Sequence, residues 1–214
     1  MSAAPSPRTR LRRMPEKSAY DADTIKAILD AQPLAHIGHL IDGAPAVTPT
    51  LQWRIGERVY WHGSAASRMI RACAGQPVCL TVTLLDGLVL ARSGLEHSVN
   101  FRSVMVFGVA EPVTAAVLKA GFLEVMIDQM LPDRWPQLRP MTAQELKATA
   151  VLSLPITEAS AKIGAGMPTD RPKDMAWPVW AGVVPIRQVL DPALPDGQPR
   201  GPAPDVRRFS KPQP

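Results

Sequence analysis

Seven residues, His62-Gly63-Ser64-Ala65-Ala66-Ser67-Arg68, follow the strand-like run Val59-Tyr60-Trp61 and lead into a helix-like one. The first N–H groups of a helix have no partners within it, and the helix dipole adds partial positive charge there. Small residues let an anion approach, Ser64 and Ser67 can donate hydrogen bonds, and Arg68 can fork onto phosphate oxygens. The chemistry offered is a phosphate seat. A serine helix cap followed by a solvated arginine would be written with the same letters, and both readings stand at this point. A Walker loop is excluded, because GxxxxGK[ST] is absent.

Two further groups invite the same question. "HSVNFRSV", residues 97–104, crowds polar side chains at a strand entrance, and alternation puts Asn100 and Arg102 on one face with Val104. Such a pair suits a polar ring edge or a phosphate, or else a network that closes a loop. Trp180 precedes Ala181 and Gly182 in "PVWAGVVP", so its indole can stack on a flat ligand or a neighbouring subunit, or fill the core. His62 can act as a general acid near neutral pH, or as a hydrogen-bonded histidine closing a strand. His36 and His39 are three apart on a strand and point to opposite faces, which argues against a shared metal. His97, next to Glu96, reads as a proton relay or a loop hydrogen bond. No metal site is expected.

These residues must be held by a framework that the periodicities outline. "DADTIKAILDAQ" reads as a helix capped by Asp21 or Asp23, with Ile25, Ile28 and Leu29 on its apolar face. "PLAHIGHLI", the turn Asp42-Gly43, "APAVTPTLQWRI", the turn Gly56-Glu57 and "RVYWHG" form a three-stranded meander. A helix ending near Gly75 follows, then the strands "PVCLTVTLL" and "FRSVMVFGVAEPV", separated by "DGLVLARSGLEHSVN". The long helix "TAAVLKAGFLEVMIDQML" turns Leu118, Phe122, Val125, Met126 and Gln129 to one side. A short helix running into a last long strand over "TAQELKATAVLSLPI" and the apolar "VWAGVVPI" complete the body. The fold expected is mainly β with helices: one domain built on a small antiparallel barrel of about six strands.

Composition limits the partners. The net charge of +5 sits in the ends, +4 over residues 1–17 and +3 over 198–214, which leaves −2 on the body. Both ends are rich in proline and read as solvated tails, so nucleic acid is not a favoured partner. A flexible basic arm is expected over 1–17, the domain over 18–190 and a Pro-rich tail over 191–214. No apolar run reaches the roughly 18–20 residues of a membrane span, and no secretory signal is evident. Two cysteines without CxxC spacing suit the cytoplasm.

The order of "DGAPAVTPTLQWRIGERVYWHGSAASRMIRACAGQPVCLTV", "LEHSVNFRSVMVFGVAEPV" and "PVWAGVVPI" resembles the FMN-binding split-barrel proteins related to pyridoxamine 5′-phosphate oxidase. Within them it is most similar to the nitroimidazole-resistance-protein branch, over roughly residues 18–190. The resemblance implies a six-stranded split β-barrel, a homodimer, and FMN sites in the clefts between subunits. It places Thr48, Pro49 and Thr50 along the flavin, Gly63, Ser64, Ser67 and Arg68 at its phosphate, and Trp180 of the partner over the ring. His62 stands where some relatives have a histidine near the ring. Phe101 replaces a tyrosine common among relatives, so any hydroxyl role is lost there. The second phosphate site of true pyridoxamine phosphate oxidases is not matched, since Arg207, Arg208 and Phe209 lie in the proline-rich tail.

The function expected is an FMN-dependent oxidoreductase acting on a small organic acceptor, nitroaromatic or quinone-like. Two alternatives need the same framework. One is a flavin carrier or sensor without turnover. The other is a haem-binding or haem-degrading protein, with His62 or His97 as axial ligand.

Overall fold

The computed structural model describes residues 3–197 and, beyond them, 201, 203, 204 and 206. Arg207, Arg208 and Phe209, read above as the C-terminal basic and aromatic group, lie outside the described residues.

Ten strands among the described residues are numbered in chain order. They are β1 (Ser18–Ala19), β2 (Leu34–Ile41), β3 (Ala44–Ile55), β4 (Arg58–Ser64), β5 (Pro77–Leu90), β6 (Ser98–Val109), β7 (Glu111–Pro112), β8 (Thr149–Pro155), β9 (Glu158–Gly164) and β10 (Gly182–Pro185). The helices are α1 (Ala22–Ala31), α2 (Arg68–Cys73), α3 (Ala116–Met130) and α4 (Ala143–Ala148). The sheet runs β1-β9-β6-β5-β2-β3-β4-β8-β7, with β10 added to β5, and every ladder is antiparallel. This is the expected split barrel, an open sheet curled around its main core.

The meander forms as its turns dictate. Asp42 and Gly43 take φ of 52° and 80°, the positive values a two-residue hairpin with right-handed strand twist requires. The Asp21 carboxylate accepts the Thr24 N–H at 2.8 Å and caps α1, whose Ile25, Ile28 and Leu29 are buried. They pack on Ile37, Trp61, Leu80, Val82, Val104, Val106, Leu152 and Leu154, the interior face of the sheet.

The strand count exceeds the expected six for identifiable reasons. Asp86-Gly87 does not turn the chain: it makes a bulge, and β5 continues to Leu90. Gly87 is needed because β10 crosses close by, so that a Cβ would lie 3.1 Å from the Val184 carbonyl oxygen. β9 escaped the sequence reading because its inward residues include Ala159 and Ala161, small groups of low strand propensity. In α3 the buried residues are Leu123 and Met126, while Leu118 is exposed. That helix is apolar on nearly every side, so periodicity alone did not fix its inward face.

The N-terminal arm, expected to be solvated, lies against the barrel. Arg8 pairs with Glu158 and its guanidinium sits 4.8 Å from the centre of the Phe107 ring. Ser6 donates to Glu158, Thr9 is buried, and the Leu11 N–H donates to the Tyr20 hydroxyl at 2.9 Å.

Candidate functional site

The split in the barrel is made by β3 and β4. They pair only over Gln52–Ile55 and Arg58–Trp61, after which β4 continues to Ser64 along β8. Residues 44–51 of β3 pair with β2 on one edge, and no strand pairs with the other edge among the described residues. Thr48, Pro49 and Thr50 lie on this open stretch. Thr48 stands opposite Ile37 and Thr50 opposite Ala35, both fully buried, so the two threonines take the interior face. Pro49 takes the outer one.

The candidate phosphate seat closes the same gap. Ser67 caps α2, its hydroxyl oxygen accepting the Ile70 N–H at 3.5 Å, and the Ser64 hydroxyl oxygen accepts the Ala66 N–H at 3.2 Å. Each hydroxyl keeps its own proton for another acceptor. Arg68 reaches back to Asp42 on the β2–β3 hairpin, Nη2 to Oδ2 at 2.9 Å, with both side chains well exposed. Gly63 lets α2 pack down, since a Cβ there would lie 3.0 Å from Ile70.

His62 is on the other face of the sheet from Thr48 and Thr50. It pairs with Val151 and shares the outer face with Tyr60, which pairs with Trp53. Its ring centre is 5.9 Å from that of Trp53, and Tyr60 meets Phe122 at 4.8 Å. Leu123 and Met126 from α3 and Val151 from β8 complete this second core. The sequence reading brought His62 and the threonines to one ring; strand parity separates them. Burial pushes the His62 pKa below its ordinary 6.5, so the imidazole is neutral at pH 7 and a poor general acid. Among the described residues, neither its Nδ1 nor the Trp53 Nε1, both buried, has a hydrogen-bond partner. The spacing of Trp53 and Tyr60 about the turn Gly56-Glu57 carried the signal for this aromatic wall, and the sequence reading missed it.

Asn100 and Arg102 are both engaged, Asn100 on a loop carbonyl and Arg102 on the bulge of β5. Arg102 forks onto Asp86 at 2.8 and 2.9 Å, and the Asn100 amide donates to the Gly166 carbonyl at 3.1 Å. The network reading describes these contacts. Trp180 is 66% exposed and so is not a core residue. Its ring lies against Gly182, where a Cβ would come within 2.9 Å. His97 Nδ1 meets the Ser93 carbonyl at 2.9 Å, and His36 and His39 lie on opposite faces. No group of three or more His, Cys, Asp or Glu suited to a metal occurs among the described residues.

The outer face continues away from His62 as an open apolar surface. Leu34, Leu40, Val47, Leu85, Met105 and Val109 are all exposed, and the registers of β2, β3, β5 and β6 put them on this one side. Among the described residues, no helix is long and apolar enough to cross a membrane.

The family model described as pyridoxamine 5′-phosphate oxidase matches residues 21–163, and the chain belongs to that family. Among solved structures it is similar to the flavocytochrome Anf3 of Azotobacter vinelandii, with 48% identity over 97% of each chain and a TM-score of 0.91. It is also similar to the FAD and haem binding protein of Mycobacterium smegmatis, with 36% identity over 87% of this chain and 94% of that one and a TM-score of 0.78. A 5-nitroimidazole antibiotic resistance-type protein of Bacteroides thetaiotaomicron shares the fold at 18% identity, over 68% of this chain and 86% of that one, with a TM-score of 0.57. No curated protein matches the chain.

Proposed function

We propose that the protein is a homodimeric flavoprotein that also carries haem, and that it is an oxidoreductase passing electrons to a small organic acceptor. The near-full-length likeness to a flavocytochrome carries this reading. The residues present fit both groups. His62 offers an imidazole kept neutral by burial, with a nitrogen that has no partner among the described residues, beside a packed aromatic and aliphatic cluster, the kind of donor a haem iron takes. Thr48, Pro49 and Thr50 line the open edge of β3, where free backbone groups can meet a flavin ring, and Ser64, Ser67 and Arg68 offer donors to its phosphate. When bound, flavin supplies hydride and electron chemistry and haem supplies one-electron chemistry.

In this reading His62 is an iron ligand rather than the expected proton donor. FMN and FAD share the ring and the phosphate that these residues address. The likeness to the FAD and haem binding protein leads us to name FAD as the flavin. The open apolar surface of β2, β3, β5 and β6 is the face on which a second copy would dock, bringing its Trp180 over the ring. Two free cysteines accord with the cytoplasm.

The test is the visible spectrum of the purified protein, with released cofactors identified by mass. Flavin bands and a Soret band are expected, and His62→Ala should lose the Soret band almost completely while keeping the flavin. A protein that takes up neither flavin nor haem would overturn the reading. A Soret band that survives His62→Ala would move the iron ligand elsewhere.

A further inference from the structure

The segment between β9 and β10 is a loop closed at its neck. Gly182 pairs with Leu90 at the end of β5, and two residues further along Arg92 holds Asp170. The Asp170 carboxylate accepts the Arg92 backbone N–H at 2.7 Å and Nη1 at 2.9 Å, and its side chain is only 1% exposed. Arg171 adds a 3.5 Å contact to Glu96, and Asn100 ties down Gly166 at 3.1 Å. Residues 171–181 therefore leave and return at one point, as in a compact surface loop with adjoining ends.

The loop is internally ordered. The turn Pro172–Asp174 passes its hydrogen bonds on through Met175, Trp177 and Val179. It holds two tryptophans out of the core, Trp177 and Trp180, with the Trp180 ring seated on Gly182. Exposed indoles lose apolar burial, so something must keep them in place. One side of the neck is a β-ladder. The other rests on one buried carboxylate, with the Arg171–Glu96 and Asn100–Gly166 contacts beside it.

We propose that Asp170, through Arg92, is the positioning residue that locks this loop and sets Trp180 against the flavin. The proposal rests on the reading of Trp180 as the residue that covers the ring. Without the carboxylate, one side of the neck opens and the closure entropy of the loop is no longer offset there.

Two measurements on the full-length protein test the lock. The first needs no flavin: trypsin cleavage after Lys173, followed by mass spectrometry. Cleavage should be roughly tenfold faster or more in Asp170→Asn than in wild type, because proteolysis follows local opening. Equal rates would overturn the lock whatever cofactor the protein holds. The second is the emission of bound flavin. Trp180→Phe should relieve indole quenching, Asp170→Asn should do so as well, and the double variant should match Trp180→Phe alone. Full additivity, or an effect of Trp180→Phe without one of Asp170→Asn, would overturn the positioning role. No flavin on the wild type, with fast cleavage of Asp170→Asn, would sink the flavin reading and the role of Trp180 while leaving the lock itself standing. Asp170→Ala serves as a second variant, and circular dichroism separates loop opening from general unfolding.

Discussion

Thr50 and His62 stand on either side of one split in one sheet, yet their surroundings have little in common. Thr48 and Thr50 face inward along a strand edge that no other strand covers among the described residues, within the gap bridged by Arg68 and Asp42. His62 faces outward onto Trp53, near Tyr60, Phe122, Leu123 and Met126, with a ring nitrogen that finds no partner among the described residues. The first region offers open backbone groups, hydroxyls and a charge. The second offers apolar contact and a single lone pair. A sheet turns alternate side chains to opposite faces, so two environments this different can sit a few residues apart. Two cofactors with different demands can then share a single barrel.

The contrast can be broken from the aromatic side first. Trp53 is fully buried and stacks on Tyr60 at 5.9 Å. Trp53→Ala should cost about 3–5 kcal/mol in urea unfolding, the usual range for emptying a tryptophan site. A cost below about 1 kcal/mol would mean that α3 is not packed on this wall.

On the polar side the effect is smaller. Arg68 is well exposed and already paired with Asp42, so Arg68→Ala should weaken flavin binding by only about 1 kcal/mol, or roughly fivefold. Asp42→Asn should tighten binding slightly, because it frees the guanidinium. Titrating flavin into the three proteins checks both signs, and unchanged affinity in Arg68→Ala would remove the phosphate assignment.

The subtlest effect is that of pH on the apoprotein. The folded pKa of His62 lies below 6.5 because burial disfavours the cation, so at slightly acid pH the unfolded chain binds more protons than the folded one. Stability should therefore be complete above about pH 6.5 and decline as pH falls below it, levelling off below the folded pKa. Thermal melts across this range, compared with those of His62→Phe, isolate the contribution. If both proteins show the same pH profile, the imidazole is not buried as neutral.

The local framework was legible because each signal is short-range. Asp21 capped its helix, Asp42-Gly43 turned the hairpin, and Ile25, Ile28 and Leu29 faced inward, all through contacts within a few residues. The bulge at Asp86-Gly87 was not legible. The same two letters make a turn at 42–43, and what distinguishes them is β10, nearly one hundred residues later in the chain, pressing on Gly87. β9 was hidden for a related reason: Ala159 and Ala161 read as strand only once β6 lies beside them.

The candidate site divides along the same line. The sequence by itself determined that hydroxyls and an arginine follow a strand at 62–68, since adjacency in the chain is enough to place them. Only the tertiary structure decided that Asn100 holds a loop and Arg102 the β5 bulge, that His62 turns away from the threonines, and that Asp170 meets Arg92 across 78 positions. Those outcomes depend on registers and crossings between distant strands, and no local preference encodes them.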